Sequence, residues 1–183
     1  QILILLTTVY AIGIEIKFRT VTDWLVAAKG NMVTAILGKL LPYTIIYILI
    51  GWLANYVMFG ILHIPFQGSW WLMNIMTMLF IIATQSLGLF LFSLFPAIVS
   101  MVGSLGATLS GVTFPVPNMY PLVRDASYLF PVRHFTEMMQ NMLYGSDGFT
   151  QLWPSAMFLC IFPLLAFSLL PHLKRAIESH KYE

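Results

Sequence analysis

Long unbroken apolar runs alternate along the chain with short polar stretches, and the lengths of the runs set the first expectation. A bilayer core about 30 Å thick is crossed by roughly 20 helical residues rising about 1.5 Å each. Runs of that size occupy residues 40–62, 72–95, 96–114 and 152–171, and each is expected to cross a membrane as a helix. A shorter run, residues 1–14, opens on Gln1 instead of a methionine and is expected to be the cytoplasmic end of a span in a longer protein. It carries neither the basic start nor the small-residue cleavage site of a signal peptide. Residues 15–39 are polar at both ends, with Phe18, Val21, Trp24, Leu25 and Ala28 at helical spacing between them. That pattern predicts an amphipathic helix at the membrane surface. Residues 115–151 are too apolar for an ordinary loop, and Pro115, Pro117, Pro121 and Pro131 cut them into short pieces. Two short helices dipping into the outer leaflet as a re-entrant hairpin are expected there. Residues 172–183 are a polar tail. The fold class is all-α, a polytopic bundle of transmembrane helices.

Composition agrees with this reading and removes the alternatives. Of 183 residues, 59% are hydrophobic and 9% charged, with a mean hydropathy of +0.85, whereas soluble domains carry roughly a quarter charged residues. The net charge of +2 comes without any basic cluster interleaved with aromatics, so nucleic acid is excluded as a partner. The single cysteine, Cys160, lies in an apolar run and allows no internal disulfide. Lys and Arg stay on the cytoplasmic side of short loops. Lys17, Arg19, Lys29 and Lys39 fall in residues 15–39, and Lys174, Arg175 and Lys181 in the tail, so seven of nine basic residues share one side. Five crossings with a cytoplasmic C-terminus, in a cell membrane of the bacterial inner-membrane kind, satisfy every loop. Trp70, Trp71, Tyr120, Tyr128, Tyr144 and Trp153 then cluster at the outer ends, where amphipathic rings prefer the headgroup level.

Finer features follow from what lipid tolerates. Pro42, Pro96 and Pro154 are expected in first turns, where a missing amide proton is harmless, and Pro163 inside the last span. Gly103, Ala107 and Gly111 recur every four residues and predict close helix packing, within the subunit or against a twin. Asn55, Asn74, Thr77, Thr84 and Gln85 lie in spans and should face protein or water, since unpaired polar groups in lipid are costly. Arg133 and Glu137 are four apart and suit a pair on one helix face. His134 with Met138, Met139 and Met142 has the makings of a copper(I) site. Methionine is abundant throughout this chain and fills apolar gaps, so no metal is assigned. No G-x-S-x-G, H-E-x-x-H or paired intramembrane carboxylates occur. Gly38-Lys39 is not a phosphate loop, because Val33 and Leu40 stand where Gly and Ser or Thr are needed.

The stretch Glu15-Ile-Lys-Phe-Arg-Thr20, followed by Trp24-Leu25 and Gly38-Lys39-Leu-Leu-Pro42-Tyr43, resembles the cytoplasmic loop of a type-2 ABC transporter permease. Ser110-Gly111-Val-Thr-Phe114-Pro115, Met119-Tyr-Pro121, Phe130-Pro131 and Tyr144-Gly145 resemble the outer re-entrant hairpin of the same exporter family. Arg19 stands where that family usually has glycine, and Tyr120 separates a Met and Pro that are commonly adjacent. The resemblance covers nearly the whole chain and implies the C-terminal membrane half of a six-span subunit. It further implies a second permease subunit, identical or not, and separate cytoplasmic ATPase subunits that hydrolyse ATP, so the chain itself is not an enzyme and holds no cofactor. Glu15, Lys17, Arg19, Thr20, Asp23, Trp24 and Leu25 would form the ATPase-coupling element, and Pro115, Pro121, Pro131, Arg133 and Glu137 the hairpin. Two other classes share the apolar runs: a channel or scaffold, and a membrane-embedded enzyme without a familiar motif. Copurification with an ATPase separates the first from a permease, and substrate turnover without one would mark the second.

The orientation is open to a direct check. Single cysteines at positions 17 and 174 should react with a membrane-impermeant reagent only after the cells are opened, and one at position 128 in intact cells. Labelling of position 17 from outside would sink the topology.

Overall fold

The computed structural model describes residues 1–18, 20–94, 99–111, 116–144 and 149–179. Side chains are described for these except at 16, 17, 21, 22, 24, 94, 100, 117, 149–151 and from 169 onward. Eight α-helices follow one another, with no strand among the described residues: α1 Ile2–Lys17, α2 Val21–Ala27, α3 Met32–Asn55, α4 Trp70–Leu94, α5 Val99–Thr108, α6 Pro121–Ser127, α7 Pro131–Tyr144 and α8 Phe149–Ser179. Helix α3 runs on through a π-helical stretch, Tyr56–Ile61. The continuous segments Met32–Ile61 and Trp70–Ser93 are each long and apolar enough to cross a membrane, and Ile2–Glu15 and Leu152–Ser168 are shorter apolar stretches of helix.

The runs at residues 40–62 and 72–95 thus fall within the two longest apolar helices, yet α3 starts eight residues earlier than the apolar run does. Asn31 explains the early start, because its side-chain oxygen accepts the Val33 amide proton at 3.0 Å as an N-cap. Pro42 is consequently inside α3 and not in its first turn. It cannot supply the bond that the carbonyl of Gly38 would otherwise accept, and Gly38 is exposed. Pro154 lies in the second turn of α8, Pro163 within the same helix, and Pro96 outside the described residues.

Helix α4 is the centre of the bundle and packs against α1, α3, α7 and α8. Near one end Met73, Met76 and Ala83 meet Met138 and Met142 of α7 and Leu152 and Leu159 of α8. Towards the other end Phe92 joins Ala11 and Ile12 of α1 and Met32, Ile36 and Leu40 of α3. The polar side chains of α4 turn inward as expected. Asn55 Nδ2 donates to Asn74 Oδ1 at 3.2 Å and to Thr77 Oγ1 at 3.0 Å, while Asn74 Nδ2 donates to the Trp70 carbonyl at 2.9 Å. This small network ties α3 to α4 by groups that lipid could not satisfy.

Its closeness depends on Gly51 of α3, where a Cβ would lie 2.7 Å from Thr77 Cγ2. The small-residue reading of α5 divides in the structure. A Cβ at Gly103 would stand 3.3 Å from Leu5 Cδ1, so this glycine packs on α1 of the same chain. Gly111 lies beyond the end of α5 in a left-handed conformation (φ 90°) beside Val116 and Arg133, and Ala107 is half-buried between them. The contacts described for Gly103 and Gly111 are thus with different parts of the chain.

Gly51→Leu should force α3 from α4 and destabilise the protein by about 1–3 kcal/mol, the usual range for overpacking. Gly38→Leu, in open space, is the control. Equal thermal unfolding midpoints for the two variants in detergent would contradict the packing.

Candidate functional site

The turn between α1 and α3 gathers the residues singled out from the sequence. Glu15 is in the last turn of α1, and its carboxylate pairs with Lys39 from the second turn of α3. Its other oxygen accepts the hydroxyl proton of Thr20, and its carbonyl accepts the Thr20 amide at 3.0 Å. One carboxylate therefore closes the loop on both sides. The bonds from Lys39 and then from Thr20 hold the Glu15 carboxyl below its ordinary pKa, against partial burial, which acts the other way.

Between these anchors the chain forms one short helix. The amphipathic helix expected within residues 15–39 is thus divided: α1 continues through Lys17, and α2 is a separate helix of seven residues. Its exit is a Schellman turn, with Gly30 N donating to Leu25 O at 2.8 Å and Lys29 N to Val26 O at 2.9 Å. Lys29 (φ 53°) takes the left-handed conformation that this turn requires, and Gly30 (φ 74°) after it is left-handed too. Leu25 packs onto the cluster formed by Ala11, Ile12, Met32, Ile36, Leu40 and Phe92, seating α2 against both neighbours. Asp23, Val26 and Phe18 point outward. Arg19 lies outside the described residues, as do the side chains of Lys17 and Trp24.

At the opposite end of α4, Pro121 and Pro131 begin α6 and α7, positions where the missing amide proton is not needed. Pro115 is outside the described residues. Arg133 and Glu137 do not pair: no ion pair joins them among the described residues, because each has another neighbour. Arg133 is buried, its guanidinium 5.7 Å from the centre of the Tyr128 ring, whereas Glu137 accepts from Ser155 Oγ of α8 at 3.3 Å. His134 stacks on Phe158 at 4.8 Å, its Nε2 lying 2.9 Å from the Tyr128 carbonyl oxygen. Met138 and Met142 fill the apolar cluster with α4 and α8.

A third feature lies around Gln85, one of the intramembrane polar residues expected to face protein or water. A groove of about 370 Å³ lies between α3, α4 and α8. Thr44 Oγ1 stands 2.8 Å from Gln85 Oε1 and 2.9 Å from the Leu40 carbonyl oxygen at this groove. Gln85 Nε2 is buried without a partner. Lys39 was not picked out as a partner of Glu15. The available signal was a lone cation close before an apolar run, opposite in sign to the one carboxylate at the end of another.

The family model described as "ABC-2 family transporter protein" matches residues 2–170. The chain is 31% identical over 101 residues to the "Inner membrane transport permease YhhJ" of Escherichia coli K12, covering 52% of this chain and 27% of that protein. It is 24% identical over 136 residues to the "Probable multidrug ABC transporter permease YbhS" of the same organism, covering 70% of this chain and 36% of that protein. The chain thus spans about a third or less of the length of these relatives. No solved structure matches it significantly.

The Glu15 clasp gives a pH dependence with a defined sign. Its pKa is lowered on folding, so the native state binds fewer protons than the unfolded one. The stabilisation is present above the ordinary carboxylate value and is lost as pH falls through the lowered one. Glu15→Gln should lower stability at neutral pH by about 0.5–1 kcal/mol, and the gap to wild type should close on acidification. A gap in unfolding midpoint that persists at low pH would show that Glu15 acts through something other than its charge.

Proposed function

The chain belongs to the ABC-2 family of transporter proteins, and from that premise we propose that it forms the membrane-spanning permease of an ATP-driven exporter. Residues 15–39 receive the movement of a separate cytoplasmic ATPase subunit, and a second permease subunit completes the translocation path. The protein crosses the inner membrane five times within this chain, with residues 15–39 and the C-terminal tail in the cytoplasm. Residues 115–151 form the re-entrant hairpin on the other side.

The observation that supports this reading best is the clasp around α2. A short helix tied at one end to α1 through Glu15 and continued at the other into α3 cannot be displaced alone. Force on its outward side passes into two membrane helices at once, through a charge-assisted pair and the seated Leu25. The outward side carries Asp23 and Val26, a polar and an apolar group suited to a protein surface. An anionic lipid surface would instead select a basic excess. Lever action of this kind needs a firm anchor more than a large interface, and Trp24 is the aromatic residue of α2.

In the full-length permease assembled with its ATPase, Trp24→Ala should lower transport and transport-stimulated ATP hydrolysis by roughly tenfold, as loss of an aromatic anchor does. Membrane insertion should be intact. A lipid anchor at this position would instead give a protein less firmly held at the interface but still coupled. A Trp24→Ala protein that inserts, binds the ATPase and exports at the wild-type rate would remove α2 from the mechanism. Failure of the wild-type protein to copurify with any ATPase would favour a channel or scaffold.

A further inference from the structure

The first turn of α7 buries two basic side chains in succession, and neither has an ion-pair partner among the described residues. Arg133 is 4% exposed and His134 1%. The Arg133 guanidinium lies by the Tyr128 ring and Gly111, and its Nε has no partner. The His134 ring lies flat on Phe158 of α8, with centres 4.8 Å apart and planes 9° from parallel, and is tilted against the Tyr128 ring at 5.8 Å. It therefore ties the turn between α6 and α7 to α8.

The bonding of the ring fixes its proton. Nε2 lies 2.9 Å from the Tyr128 carbonyl oxygen, which can only accept, so Nε2 carries the hydrogen. Tyr128 is the C-cap of α6, a position whose carbonyl finds no partner within its own helix. Turning the ring over would set carbon against that oxygen and lose the bond. Nδ1 is left as a bare lone pair, buried and without a partner, which suits a neutral imidazole. A second proton would make Nδ1 a buried donor with no acceptor.

The groups facing the ring act in both directions. From its own helix, Arg133 opposes a second positive charge, whereas Glu137 favours one, although Glu137 is also engaged by Ser155 Oγ at 3.3 Å. The turn adds the Tyr128 phenol, and Arg124 and Asp125 of α6 are exposed and lie against each other. Helices α4 and α5 carry no titratable residue, and the described side chains of α8 include only the exposed Cys160. Burial lowers the pKa of the imidazole, opposed by the Tyr128 carbonyl and Glu137 and reinforced by Arg133.

We infer that His134 is an acid-sensitive latch: as a neutral imidazole it fastens the α6–α7 turn to α8, and a second ring proton releases that turn. The closed form binds fewer protons than the opened one, so its stabilisation is whole above the ordinary histidine pKa and is lost as pH falls through the lowered one. The latch is a property of the bundle and does not rest on coupling to an ATPase.

The test uses the full-length protein in phosphatidylcholine nanodiscs, free of other cysteines and diluted with unlabelled protein. Spin labels on Leu129→Cys and Leu164→Cys, both exposed positions, report the distance from the turn to α8. With His134 present, one narrow distance at about pH 8 should lose population to a second, longer one at about pH 5, the range in which histidine titrates. His134→Gln, whose amide keeps a donor for the Tyr128 carbonyl but does not titrate, should hold the narrow distance throughout. Glu137→Gln removes the carboxylate that favours the charged ring and should shift the midpoint of opening to lower pH. A distance unchanged over this range with His134 present, or the same opening in His134→Gln, overturns the inference. Should His134→Gln not fold, the Glu137→Gln shift decides, and a midpoint that stays or rises overturns it as well.

Discussion

A bilayer core offers no hydrogen-bond partner, and the arrangement of this bundle follows from where its polar side chains find theirs. Helix α4 carries more of the buried ones described than any other helix. Asn74 and Thr77 draw α3 close enough for Gly51 to touch the Thr77 methyl group, and Gln85 reaches Thr44 on the same neighbour. Apolar contacts alone would not select one register here, because lipid tails are as apolar as leucine. The amide and hydroxyl bonds supply the selection, and the apolar clusters at the two ends of α4 fill the remaining space.

What was legible in the sequence was whatever depends on local pattern. The runs at 40–62 and 72–95 lie within long helices because length and hydropathy are local properties. Asn55, Asn74 and Thr77 turned inward because no alternative was open to them. Features that depend on pairing across the chain were less visible. Pro42 seemed to open a helix, since nothing near it shows that Asn31 caps the chain eleven residues earlier. Gly51 carried no signal, because its close contact comes from a threonine on another helix. The Glu15–Lys39 pair joins residues 24 apart in sequence, and the split of the amphipathic stretch into the end of α1 and a separate α2 follows from that pairing. Periodicity alone would have continued the helix.

The two ends of the bundle are built on different principles. Around α2 the fixing contacts are charged or directional, namely a carboxylate, an ammonium and a turn with two left-handed residues. At the end formed by α6, α7 and the start of α8, aromatic and methionine side chains dominate, and Arg133 is held beneath a tyrosine ring instead of in an ion pair. A polar clasp transmits displacement stiffly. Methionine-rich packing accommodates change with little loss.

The hydroxyl groups of α5 carry a mechanical consequence. Ser104 and Thr108 each donate to carbonyls of their own helix, and the contacts described from Gly103 to α1 are with the alkyl groups of Leu5 and Ile2. A helix that keeps its hydrogen bonds to itself takes them along when it slides. Displacing α5 along α1 exchanges one set of methyl contacts for another and strands no donor. Displacing α3 along α4 would break two amide-mediated junctions in a medium that cannot replace them. The bundle is therefore a stiff pair, α3 and α4, beside a seam along which shear is cheap.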